Sequence, residues 1–341
     1  MGYRVLTGDC RETLKTLGDG TVQCVVTSPP YWGLRDYGVG GQIGLEGTPD
    51  EYVAKMVEVF REVRRVLRDD GVCWLNLGDS YATSSPVGWR DGDGRGGGIH
   101  GGHETPEGSF TRRSRPNPKV HGLKPKDLVG IPWRVAFALQ ADGWWLRQDV
   151  IWSKGNPMPE PVTDRCTRSH EYLFMLTKRE RYFYDADAIR EDFADARQGR
   201  DGGAKESERN VGGRSDGYTK PSAIDPSHNG GRNRRSVWVV NPRPYDGAHF
   251  AVMPPMLVEP CILAGSREGD TVLDPFGGSG TVGMVARWLK RDAVLCELNP
   301  EYVKLIEERV EMERTETGGA RRVGPTVGGG ASLDLLGEFS K

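Results

Sequence analysis

The stretch "DTVLDPFGGSGTVGMVARWLKRDAVLCELNPEYVKLIEERV", residues 270–310, constrains the fold more than any other part of the chain. A short apolar run meets a glycine cluster, apolar residues then recur at helical spacing, and a second apolar run ends on Glu297 before another amphipathic segment. That order predicts strand, turn, helix, strand, helix, a unit that packs as parallel strands joined by a crossover helix. The glycines gain meaning from their place. Leaving a strand and opening a helix, they let backbone approach a ligand closely and expose the free N–H groups of the first helical turn. No Lys follows them, and "GGSG" is not the full GxGxxG spacing, so a nucleoside triphosphate is not the expected ligand. Glu297 stands roughly twenty residues further on, where a carboxylate at a strand end accepts from ribose hydroxyls. The pair predicts a cofactor containing a nucleoside; the plainer alternative is a turn cluster followed by a helix-capping acid.

The N-terminal part repeats the alternation. "YRVL" reads as a strand, "CRETLKTL" as an amphipathic helix and "TVQCVV" as a buried strand. Thr48 is placed as an N-cap before Pro49 and a helical pattern that "DDG" closes ahead of the strand "VCWLNL". Further on, a helix is expected near residues 127–140, strands near 144–152 and 172–177, a strand at "SVWVV" and a helix at "PPMLVEPCILAG". Glycine, 47 of 341 residues, concentrates in two polar stretches, residues 84–122 and roughly 197–235, which divide the pattern. The expected division is 1–83, a Gly/Arg-rich insertion at 84–124, a continuation of the first part at 125–184, a polar region at 185–236, a part at 237–314 that holds the glycine turn, and a tail at 315–341. A near-balanced charge does not announce a polyanionic partner, so such a partner must be met by local basic stretches. Six scattered cysteines without a CxxC pair and no signal peptide imply a reducing cytoplasm without structural zinc, and no apolar run approaches membrane-spanning length.

"TSPPYWGLRDYG", residues 27–38, follows the buried strand "VQCVV". Prolines cannot donate to a sheet ladder, so Pro29 and Pro30 could simply end it. That leaves Tyr31 and Trp32 unexplained: two large aromatics at a strand exit, where loops of open α/β sheets carry binding and catalytic groups.

With both motifs in hand, the chain resembles the S-adenosylmethionine-dependent amino-methyltransferases of DNA, which carry a (Ser/Asp/Asn)-Pro-Pro-(Tyr/Phe) signature and an FxGxG cofactor loop. Here these are "SPPY" and "FGGSG", and the resemblance extends over "GDC", "NLGDSY", "QDVIWSKGNPMPEP", "RSHEYLFMLTK" and "HFAVMPPMLVEPCI". Catalytic motif first and cofactor loop last is the permuted β-group order, and the resemblance implies a catalytic half at 1–83 and 125–184, a target-recognition region at 185–236 and a cofactor-binding half at 237–314. The resemblance implies a Rossmann-like mixed β-sheet with helices on both faces, the class I methyltransferase fold, carrying inserted loops. It implies that Asp274, Phe276, Gly278 and Gly280 contact the methionine and adenosine portions of S-adenosylmethionine, Glu297 its ribose and Asp9 its adenine side. It also implies that a base swung out of double-stranded DNA meets Ser28, Pro29, Pro30 and Tyr31. The Ser28 hydroxyl and the Pro29 carbonyl would accept from the exocyclic amino group, the prolines would hold that carbonyl outward, and the Tyr31 ring would stack on the base.

The resemblance further implies that Ser in the first motif position favours cytosine N4 as the target, with adenine N6 the alternative. Cytosine-C5 chemistry through Cys261 is rejected, because its segment reads as a helix before the cofactor strand. Arg232, Arg234 and Arg235 are expected to hold DNA phosphates, as part of a recognition region between the middle strands and the cofactor half. His100 and His103 form an HxxH without partners at metal spacing, and no metal site is expected. The family further implies a prokaryotic or phage-type cytoplasmic protein, monomeric or homodimeric, for which a cognate restriction endonuclease is an open partner. Among rival readings, a nicotinamide-dependent oxidoreductase leaves "SPPY" unused, an RNA or protein methyltransferase usually has the opposite motif order, and a catalytically silent DNA-binding module does not account for the complete motif.

Overall fold

In the computed structural model, which describes residues 2–34, 36–82, 123–191, 231–242, 252–314 and 320–321, burial along the strands decides the layers. In β2 (Val22–Thr27) all six residues are buried, so both faces of that strand must be covered. Val25 packs on one side with α1 (Cys10–Thr13), α2 (Pro49–Val66) and α3 (Ile131–Ala141). Cys24 and Val26 pack on the other with α4 (Pro255–Gly265), α5 (Thr281–Trp288) and α6 (Pro300–Val310). The predicted Rossmann-like sheet with helices on both faces is present.

Among the described residues eight strands form the sheet, in the order β1-β8-β7-β2-β3-β5-β4-β6. These are β1 (Tyr3–Thr7), β2, β3 (Leu67–Leu77), β4 (Trp145–Ser153), β5 (His170–Thr177), β6 (Val237–Val239), β7 (Thr271–Asp274) and β8 (Asp292–Glu297). All are parallel except β5, which runs against β3 and β4. A two-residue pair, β9 (Glu313–Arg314) with β10 (Ala320–Arg321), lies apart from it. The chain leaves β2 for α2 on one face and leaves β7 for α5 on the other. A crevice therefore opens at the carboxyl ends of these neighbouring strands, where open α/β sheets bind their ligands.

Two boundaries differ from expectation. "DDG" is not a turn between α2 and β3; β3 begins at Leu67, and the register with β2 shifts between Val22 and Cys24, so the extra residues bulge within the ladder. There the Asp70 carbonyl accepts from Gln23 Nε2 and from the Phe183 amide. The helix expected from residue 127 starts at Ile131 instead. Gly130 takes φ +78°, and the Asp79 carboxylate, far away in sequence, accepts from the amides of Gly130 and Ile131 and so caps α3 from outside. Most of the insertion (84–124), most of the recognition region (185–236) and nearly all of the tail (315–341) lie outside the described residues. No helix among the described residues is long and apolar enough to cross a membrane.

Candidate active site

A cavity of about 360 Å³ lies at the carboxyl edge of the sheet and joins the two motifs in one space. Gly8 and Asp9 reach it from the end of β1, the Ser28–Pro29–Pro30–Tyr31 loop from β2, Asp274 to Ser279 from β7, and Glu297 from β8. Lys154 arrives from the end of β4. Because β5 is antiparallel, its first residues, including Glu171, come to the same edge.

On the β7–β8 side the glycines work as a cradle. The Gly277 amide donates to the Cys296 carbonyl at 2.8 Å, and a Cβ there would stand 3.2 Å from that oxygen. Gly278 takes φ +52° and donates its amide to Glu297 Oε2 at 2.8 Å, while Asn299 donates to Oε1 at 2.8 Å. Glu297 is buried and its carboxyl is raised by that burial, with the surrounding amides pulling back the other way. Asp274 is buried more completely and is pushed up to about 7 by desolvation, against the Thr27 hydroxyl, which donates to it at 2.7 Å, and the Phe276 amide at 3.0 Å. Asp9 also borders the cavity, but its carboxylate is engaged. It caps α1 through the Arg11 amide and pairs with the Arg11 guanidinium, which holds it below the usual carboxylate range.

Gly280 is the one expected cofactor residue that does not line the cavity. It takes φ +80°, and a Cβ there would lie 3.0 Å from the Ile306 Cα, so it lets α6 pack against the start of α5.

On the β2 side the Tyr31 hydroxyl is the centre of a polar cluster. It donates to Glu171 Oε2 at 2.6 Å and faces Asn76 Oδ1 at 3.1 Å, and it accepts from Ser28 Oγ at 3.2 Å. Glu171 Oε1 pairs with Lys154, whose ammonium lies 4.5 Å from the Trp152 ring centroid. The Tyr31 ring lies against Gly78, where a Cβ would stand only 2.6 Å from ring carbon Cε2. The Pro30 carbonyl accepts from Tyr52 of α2 at 2.9 Å. Trp32 is packing: it is buried and donates to the Glu46 carbonyl at 2.9 Å.

Sequence reading missed Glu171, Lys154, Asn76 and Gly78. The available signals were a charged residue heading the apolar strand "HEYLFMLT" and an Asn within "CWLNL". Cys261 is buried within α4, where burial pushes its thiol well up, and it does not border the cavity. The three arginines are not at the cavity either. Arg232 and Arg235 share the Glu191 carboxylate, and Arg234 lies over the Trp238 ring at 4.6 Å.

The model of the N6/N4 DNA methylase family matches residues 22–308. The chain belongs to this family. It is 46% identical over 311 residues to the type II methyltransferase M.SmaI of Serratia marcescens, covering 91% of each chain. To M.XycI of Xanthomonas campestris pv. cyanopsidis it is 49% identical over 311 residues, covering 91% of this chain and 88% of the relative. Among solved structures it resembles the cytosine-N4-specific PvuII DNA methyltransferase, with TM-score 0.59, 18% identity and coverage of 90% of this chain and 86% of that one. It also resembles the protein TTHA0409 of Thermus thermophilus in its complex with S-adenosyl-L-methionine, with TM-score 0.52, 22% identity and coverage of 91% and 95%. These likenesses bear out the predicted class I methyltransferase fold. The chain is thus a DNA methyltransferase of this S-adenosylmethionine-dependent family, as the sequence implied.

Proposed function

We propose that the chain methylates cytosine N4 in double-stranded DNA, with the cofactor seated on residues 274–279 and Glu297 and the target base held by residues 28–31. The observation that carries this reading is the single cavity bordered by both motifs. Its cofactor end fits S-adenosylmethionine: a glycine cradle admits close backbone approach, and two buried carboxylates, Asp274 and Glu297, suit a ligand that carries positive charge and ribose hydroxyls. Asp9 completes the adenine side of that seat, and Phe276 offers it an apolar face.

When bound, the cofactor supplies a methyl group on a sulfonium. An exocyclic amino group is a poor nucleophile because its lone pair is delocalised into the ring. Ser28 Oγ and the Pro29 carbonyl accept its two N–H groups, which localises that lone pair toward the methyl carbon. The prolines keep these acceptors fixed, so the chain supplies orientation and a dry setting. Ser in the first motif position and the fold shared with the cytosine-N4-specific PvuII enzyme support cytosine as the target. Nucleoside analysis of duplex DNA incubated with the chain and tritiated cofactor tests the assignment, with label expected in N4-methylcytosine. The named relatives further support a cytoplasmic role in modification beside a cognate endonuclease. Phosphate binding by Arg232, Arg234 and Arg235 remains part of the proposal; of the two that share Glu191, Arg235 has the more exposed side chain.

Asp274 gives cofactor binding a pH dependence. In the free protein its carboxyl titrates at about 7. A cationic cofactor favours the carboxylate, so binding releases a proton and affinity rises as pH rises through 7. Between pH 6 and pH 8 calorimetry should show about a tenfold gain in affinity, levelling off above. Asp274→Asn should remove the dependence. For the free protein the sign is opposite: a carboxyl raised from 3.8 to about 7 by folding contributes stability at low pH that is lost as pH rises through that window.

A further inference from the structure

Resting on the placement of the target base at residues 28–31, we propose that Glu171 is a positioning residue that fixes the direction of the chain Ser28–Tyr31–Glu171 and makes Ser28 an obligate acceptor, so that the site takes amino bases and rejects oxo bases. The direction follows from counting protons. Glu171 Oε1 is taken by Lys154, and Oε2, 2.6 Å from the Tyr31 hydroxyl, can only accept. Asn76 turns its amide nitrogen to the Tyr172 carbonyl at 3.1 Å, which leaves Oδ1, a second acceptor, facing the same hydroxyl at 3.1 Å. A phenol has one proton. With acceptors on both of these sides, Tyr31 donates there and can only accept from Ser28, whose Oγ stands 3.2 Å away. Burial and the Glu171 carboxylate both raise Tyr31 well above the ordinary phenol range, so it keeps that proton.

Ser28 has then spent its own proton inside the protein, and its remaining lone pairs are what it offers a base. An N–H group satisfies them. A carbonyl oxygen in that place meets another acceptor, and a polar site left unpaired discriminates strongly. No base contact by Glu171 is needed; it acts through Tyr31. In Glu171→Gln, Lys154 would retain the side-chain oxygen and leave the amide NH2 toward Tyr31. Tyr31 would then accept from Gln and share its proton between Asn76 Oδ1 and Ser28, so its direction toward Ser28 is no longer fixed.

The test measures binding, in the presence of S-adenosylhomocysteine, of two duplexes that differ only at the target base. They carry the amino base or its oxo analogue, uracil for cytosine or hypoxanthine for adenine, in the sequence the enzyme methylates. Any easier opening of a mispaired analogue is common to all variants and cancels in the comparison between proteins. The ratio of amino to oxo affinity should fall at least about tenfold in Glu171→Gln. It should fall comparably in Tyr31→Phe, which cuts the same link and serves on its own if Glu171→Gln does not fold. The double variant should fall no further than the single ones. Equal weakening of both duplexes, leaving the ratio at its wild-type value, would overturn the proposal. Ser28→Ala separates the two levels. If it too keeps the wild-type ratio and transfer rate, the base is held elsewhere and the functional reading fails with the proposal. If it loses both while Glu171→Gln and Tyr31→Phe keep the ratio, only the proposal fails.

Discussion

Ser28→Ala should slow methyl transfer in a single turnover by about 10²-fold or more, the loss expected when one oriented group acting mainly in the transition state is removed. The substitution keeps the strand exit, because Pro29 and Pro30 still fix the backbone and the Pro30 carbonyl still accepts from Tyr52. It removes the acceptor proposed to hold the amino group with its lone pair aimed at the methyl carbon. It also leaves the Tyr31 hydroxyl bonded to Glu171, so the ring stays in place. Rapid-quench measurement with tritiated cofactor reads the rate, and calorimetry should find cofactor affinity at the wild-type value. A wild-type rate would reduce the proline motif to a strand stop.

Gly78→Ala should cost a similar factor, although Gly78 does not border the cavity. A Cβ at this position would stand 2.6 Å from Tyr31 Cε2 and 3.0 Å from Cδ2, where carbon atoms settle at about 3.5–4.0 Å, so the ring must retreat by about 1 Å. It cannot do so freely, since its hydroxyl is bonded to Glu171 and Ser28 and its body packs against the core. A displacement of that size in a group that orients substrate costs about 10²-fold. Cofactor affinity should be unchanged, because the proposed cofactor seat lies across the cavity on β7 and β8. A transfer rate within a few-fold of wild type would show that the exact seat of the ring is immaterial.

These two residues mark the boundary of what the chain's sequence discloses. Strands and helices were legible because their signals are local: the short apolar run of β2, Thr48 capping α2 through the Glu51 amide, Pro at the first turn, and glycines between β7 and α5. The late start of α3 was not, because its cap is Asp79, about fifty positions away in the chain. The same limit applies at the cavity. Reading "SPPY" assigned the Tyr31 ring a stacking role and left its hydroxyl without one; the structure gives that hydroxyl to Glu171, a pairing across 140 residues. Gly280 sits in the right motif, yet its positive φ serves helix packing against Ile306. Arg232 and Arg235 read as free cations in a basic run until Glu191 is placed beside both.

The central claim, transfer to an amino group held by Ser28, is tested most directly by mapping methylated bases in DNA from a methylation-deficient bacterial host that expresses the chain. Single-molecule sequencing and nucleoside mass spectrometry of the same DNA should find N4-methylcytosine at one position of one short sequence, and none in cells expressing Ser28→Ala. N6-methyladenine in its place would contradict the cytosine assignment. Methylation at cytosine C5, no methylated base, or an undiminished mark from the Ser28→Ala protein would contradict the account as a whole.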